Sequence, residues 1–243
     1  MRGSNQKYFN FPIALLEGFL KDDANVLNDI YDYATYVKAV SYYEKEGFEW
    51  VENEVAEKAV SLSDSFYGIK TGDKTKAYEN GMQLFNSIPS KTPMAGINID
   101  VFFDYFENSK TDFEKVCLLA FLSIKSILQN KAYCKITNKY WLSRMDGKAC
   151  SIKTEDKRNF EGLSKEIKDF SNEYQTKKIK AELENNWGLS SYSRYNRGFY
   201  VSFKLDINAL VYEAEKRKKS TKEKQTKLSK ELALKKALAR LNN

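Results

Sequence analysis

Between Asp112 and Gln129 the chain leaves almost no face for water. Phe113, Val116, Cys117, Ala120, Phe121, Ile124, Ile127 and Leu128 recur at helical spacing and nearly encircle the helix they define. A helix that is apolar on nearly every side is stable only when other elements surround it, so the rest of the chain has to pack around this segment. Thr111 or Asp112 stands where a helix N-cap is needed. The chain has 243 residues, 42% hydrophobic and 14% aromatic, enough to build a sizeable core. With only 3 Pro and 11 Gly and abundant Lys, Glu, Leu and Ala, a mainly α fold is expected.

The periodicity predicts further helices. Pro12 suits a first helical turn, followed by Ile13, Leu16, Phe19 and Leu20 at helical spacing. Asp22 or Asp23 caps a helix carrying the stripe Val26, Leu27, Ile30, Ala34, Val37 and Val40, which ends before Gly47. Helices are also expected over Glu49 to Leu62 and Lys74 to Ile88. Ser87 to Asn98, with two Pro and one Gly, is expected to be a loop, and Phe102, Phe103 and Phe106 to open a short helix.

Charge divides the chain. Residues 1–130 carry 13 Lys and Arg against 19 Asp and Glu, a net of −6. Residues 131–243 carry 27 against 14, a net of +13. An asymmetry of this size points to a polyanionic partner for the second half only. Three regions are expected: an acidic helical region 1–130, a basic region 131–213, and a basic C-terminal helix or tail 214–243.

In the basic half, Tyr133 to Ile136 reads as a short strand. Thr137 caps a helix through Met145, stopped by Asp146-Gly147. Lys148 to Arg158 reads as loop and Phe160 to Phe170 as helix. Ser171 or Asn172 caps a helix over Glu173 to Asn185, with Tyr174, Ile179 and Leu183 inward and Lys177, Lys178 and Lys180 elsewhere. Leu189 to Tyr192 and Phe199 to Phe203 flank Ser193-Arg194-Tyr195-Asn196-Arg197-Gly198, a β-hairpin signal. A helical stretch follows from Leu205.

The order over 160–203, helix, turn, helix, hairpin, resembles a winged-helix domain. The fold class expected is therefore mainly α, a helical N-terminal region plus a winged-helix-like C-terminal region with one β-hairpin. The resemblance implies that the helix 173–185 enters the DNA major groove through Gln175, Thr176, Lys177, Lys178 and Lys180. It implies that the hairpin is a wing, touching DNA through Arg194, Asn196 and Arg197. Long cationic and amide side chains suit phosphates and base edges. A complete domain also needs a preceding helix and a third strand, for which Thr137–Met145 and Tyr133–Ile136 are available. Two helix pairs are open as the helix-turn-helix: 137–145 with 160–170, or 160–170 with 173–185. The runs Thr137 to Met145, Trp187-Gly188-Leu189 and Arg197 to Ser202 also resemble uncharacterised proteins of Bacteroides-type (crAss-like) phages and mobile elements. That resemblance implies phage or plasmid DNA biology.

The tail adds Lys216, Arg217, Lys218 and Lys219, then Lys222, Lys224, Lys227 and Lys230, a cluster suited to phosphates. Leu228, Leu232, Leu234, Leu238 and Leu241 suit packing on the body or pairing with a second copy.

With no His, there is no His-based triad and no Cys/His zinc set; no GxxxxGK[ST] loop occurs. Cys117, Cys134 and Cys150 form no CxxC and are expected to stay reduced. No cofactor and no metal are expected. Glu166 and Lys168 after Asp156 form a nuclease-like pattern, but two residues apart on a helix they diverge. No run approaches a membrane span. The apolar run Phe9 to Leu20 contains Glu17 and lacks a cleavage site, so a cytoplasmic protein is expected, in a bacterial host if phage-encoded. Met1-Arg2-Gly3-Ser4 resembles an expression leader and is set aside.

The expected function is non-enzymatic nucleic-acid binding, foremost of duplex DNA, in replication or transcription control. The alternatives are a structural or adaptor protein, virion-associated, with a protein partner on the acidic half, and a metal-dependent nuclease.

Overall fold

The computed structural model describes residues 6–46, 55–153, 160–193 and 198–241. These residues are mainly helical, with two small antiparallel sheets. The order is β1 (Tyr8–Pro12), a 3-10 turn (Ile13–Leu16), α1 (Asp23–Glu46), α2 (Val55–Tyr67), α3 (Lys74–Ser87), β2 (Met94–Asn98) and α4 (Ile99–Glu107). Then come α5 (Asp112–Leu128), β3 (Cys134–Ile136), α6 (Asn138–Met145), α7 (Lys165–Asp169), α8 (Glu173–Asn186), β4 (Ser190–Tyr192), β5 (Phe199–Ser202) and α9 (Ile207–Leu241).

Helix α5 is the buried centre its sequence demands, with Val116 to Ala120 buried without a break. Thr111 opens it with a capping box: its hydroxyl accepts from the Glu114 N–H, and the Glu114 carboxylate accepts from the Thr111 N–H at 2.8 Å. Helix α5 touches β2 on one side and α6 and α8 on another. The Trp141 indole N–H of α6 donates to the Ala120 carbonyl at 3.2 Å. One cluster of buried apolar side chains runs from Phe9 to Val201 and so includes both charge halves.

In the acidic half α1 packs on α2 and α3. Gly81 permits the α1–α3 approach, because a Cβ there would lie 2.4 Å from the Asp32 carbonyl oxygen. The expected helix from Pro12 is instead the end of β1 followed by the 3-10 turn. Phe9 and Phe11 alternate inward while Tyr8 and Asn10 face solvent, a two-residue period that a helix cannot satisfy. The expected loop 87–98 contains β2, which pairs antiparallel with β1 and sets Ile97 opposite Phe9 and Ala95 opposite Phe11. The expected helix over 49–62 appears as α2, running to Tyr67; residues 47–54 lie outside the described residues.

In the basic half the strand over 134–136, the helix over 138–145 and both hairpin strands form as expected. Thr137 caps α6 by accepting from the Tyr140 N–H at 3.1 Å. The expected helix 160–170 shrinks to α7. Gly162 has φ +90, outside the helical region, and the Ser164 side chain caps the helix at Lys165. The sheet order is β3-β5-β4, all antiparallel. Phe199 and Val201 are buried on its inner face, where Phe199 meets Trp141 edge-on at 5.7 Å. Lys135, Tyr200 and Tyr192 share the other face in register. The first turns of α9 pack on β4 and β5, burying Leu210 and Ala214. Among the described residues no helix is long and apolar enough to cross a membrane.

Candidate nucleic-acid interface

Helix α8 is set by its inner stripe. Thr176, Ile179 and Leu183 are at most 1% exposed, so the opposite side of the helix is its free face. Asn172 caps it, accepting from the Gln175 N–H at 2.9 Å, and Gln175 itself is half-buried at the flank. Thr176 belongs to the core side. Its hydroxyl donates to the Asn172 and Glu173 carbonyls, and the side chain is buried. Tyr174, expected inward, is 72% exposed. It lies two and a half turns from Leu183 and therefore on the opposite face.

Lys177 is exposed and paired with Glu173 at 2.8 Å. Lys178 is exposed as well, with its ammonium 4.1 Å from the centre of the Phe113 ring of α5. Lys180 is different. Its ammonium donates to Asn138 Oδ1 at 3.0 Å and sits 3.5 Å from the centre of the Phe199 ring and 5.6 Å from that of Trp141. Burial lowers its pKa to about 8, a shift that the nearby Glu184 carboxylate opposes. It ties α8 to the start of α6 and to β5, and its charge is turned away from the free face.

Gly198 leads into β5 with φ +91, and a Cβ there would lie 2.3 Å from the Ile136 carbonyl oxygen. The hairpin residues Arg194, Asn196 and Arg197 lie outside the described residues. So does Asp156 of the nuclease-like pattern, while Glu166 and Lys168 flank the buried Ile167 on α7. Among the described residues no three His, Cys, Asp or Glu side chains converge as metal ligands. Lys216 is exposed at the point where α9 leaves the sheet; Arg217, Lys218 and Lys219 follow on the same helix.

The acidic half has an open cleft of about 910 Å³ between α1, α3 and α4. Asp29 and Asp32, one turn apart on α1, line it with Lys76, Asn80, Phe103 and Phe106. Burial raises both carboxyls, Asp32 to about 6, although Asn80 Nδ2 donates to Asp32 at 3.1 Å.

Comparison with protein-family models, curated proteins and solved structures finds no match to this chain.

Proposed function

We propose that this chain is a duplex-DNA-binding protein that acts through a winged-helix module formed by α5 to β5. The observation that carries the reading is connectivity. A helix, a strand, a helix, then α8 and a hairpin follow in order, and the third strand completes a sheet in the order β3-β5-β4. On this reading α6 and α8 are the helix-turn-helix pair, with α7 in their connection, a pairing that differs from both pairs the sequence leaves open. The free face of α8 would enter the groove with Tyr174, Lys177 and Lys178, and Gln175 at its edge. The hairpin would supply Arg194, Asn196 and Arg197. Thr176 and Lys180 would support that face from inside.

The work is binding, in replication or transcription control of a phage or mobile element. Phosphate contacts from the lysines and arginines would set register, and the amide side chains and Tyr174 would meet bases. Mobility shifts with duplex, single-stranded and RNA probes over a salt series test this. Retention of duplex near physiological salt is expected, with binding weakened and its salt dependence flattened in Arg194→Ala/Arg197→Ala. No retention of any probe overturns the reading.

A second reading is an adaptor whose acidic half binds a protein partner. It draws on the cleft lined by Asp29 and Asp32, whose carboxylates and aromatic walls suit a cationic side chain.

A further inference from the structure

Helix α9 is 35 residues long, yet its core contacts end early. Ala214 is the last buried residue among those described. Every described side chain from Lys222 to Ala233 is exposed. The segment is rich in Lys, Leu and Ala and free of Gly and Pro, a composition of high helix propensity.

Its direction is fixed by its first turns. Strand β5 runs away from the hairpin connection, and α9 then reverses over the outer face of the sheet. Tyr133 donates to Glu213 at 3.2 Å, and Tyr192, the last residue of β4 before that connection, donates to Glu215 at 3.0 Å. Beyond Lys216 the helix therefore leaves at the end of the sheet where β4 and β5 are joined. The remaining 25 residues extend about 38 Å, roughly one turn of duplex.

From Lys216 to Leu241 there are 11 Lys and Arg against 2 Glu. We infer that α9 beyond Lys216 is a cationic arm that lies along the phosphodiester backbone of duplex DNA next to the winged-helix contact. The inference rests on that reading, because the arm leaves on the wing side. Charge selects the occupant. A second copy of the same helix would bring a second excess of positive charge against it, which Leu228, Leu232, Leu234, Leu238 and Leu241 would have to overcome. A polyanion meets the excess along the whole length. The arm is sequence-independent: it supplies affinity and salt sensitivity, and base reading stays with α8 and the hairpin.

The test uses the full chain with Lys222→Gln, Lys227→Gln and Lys230→Gln, exposed positions where Gln keeps the helix. Fluorescence anisotropy on a 40-base-pair mixed-sequence duplex is followed over a salt series. The log–log salt slope should fall by about 2 to 3, and affinity at 0.1 M salt by about ten- to a few-hundred-fold. An unchanged slope in a triple variant that still binds overturns the arm and leaves the winged-helix reading standing. If the wild-type chain binds no duplex, both fall. A wild-type dimer in sedimentation that becomes a monomer in Leu228→Gln/Leu232→Gln, with the slope unchanged, assigns the helix to a second copy and overturns the proposal.

Discussion

Lys180 shows how one residue type serves opposite ends on one helix. Lys177 and Lys178, three and two positions away, are exposed, whereas Lys180 holds its charge between Asn138, Phe199 and Trp141. Its folded-state pKa, about 8, lies below the ordinary 10.5. Between those values the unfolded chain binds more protons than the folded one, so this group makes stability rise with pH across that window. Lys180→Met keeps the stem and removes the buried charge. Urea unfolding should show it at least as stable as wild type at pH 7.5, by up to about 1 kcal/mol, and without the rise between pH 8 and 9.5. Its DNA salt slope should match wild type. A slope lower by about one, the signature of a lost phosphate contact, would return Lys180 to the interface.

At the level of elements, α5 depends on its first turn. Thr111 and Glu114 satisfy two N-terminal donors reciprocally, so Thr111→Ala should cost about 1 kcal/mol in denaturant unfolding. A cost near zero would mean that packing alone holds the helix start. The elements most legible in the sequence were the longer helices α1, α3, α5 and α8, together with the two-turn α6, which is marked by its Thr137 cap and its Asp146-Gly147 stop. Strands β1 and β2 were not, because each has five residues and their pairing joins Tyr8 to Asn98. Nothing local announces such a contact, and Pro12 and Gly96 disguise the alternation of Phe9 with Phe11 and of Ala95 with Ile97. The position of α8 was legible, but the roles along it were only partly so. The stripe Thr176, Ile179 and Leu183 already places Tyr174 outside. The burial of Lys180 was invisible, because its aromatic neighbours come from α6 and β5.

For the whole molecule, the charge boundary and the packing boundary do not coincide. The sign of charge changes near residue 130, yet buried side chains from both halves surround α5. Heating should therefore give one cooperative transition, seen alike by far-ultraviolet dichroism and by tryptophan emission. Two separated transitions would show that the halves fold independently. The shared core fixes the −6 half relative to the +13 half, so the field of the molecule has a defined polarity, which would turn the basic half toward a polyanion and the acidic half away.

Trp141 gives the molecule an optical probe of its own centre. Its indole is fully buried, bonded to the Ala120 carbonyl and flanked by the Lys180 ammonium. Its emission therefore comes from a dry environment and shifts to the red once α6 parts from α5. In a variant whose other two tryptophans are replaced (Trp50→Phe/Trp187→Phe), a red shift on adding duplex DNA would register movement of α6 against α5, and a steady spectrum would register none.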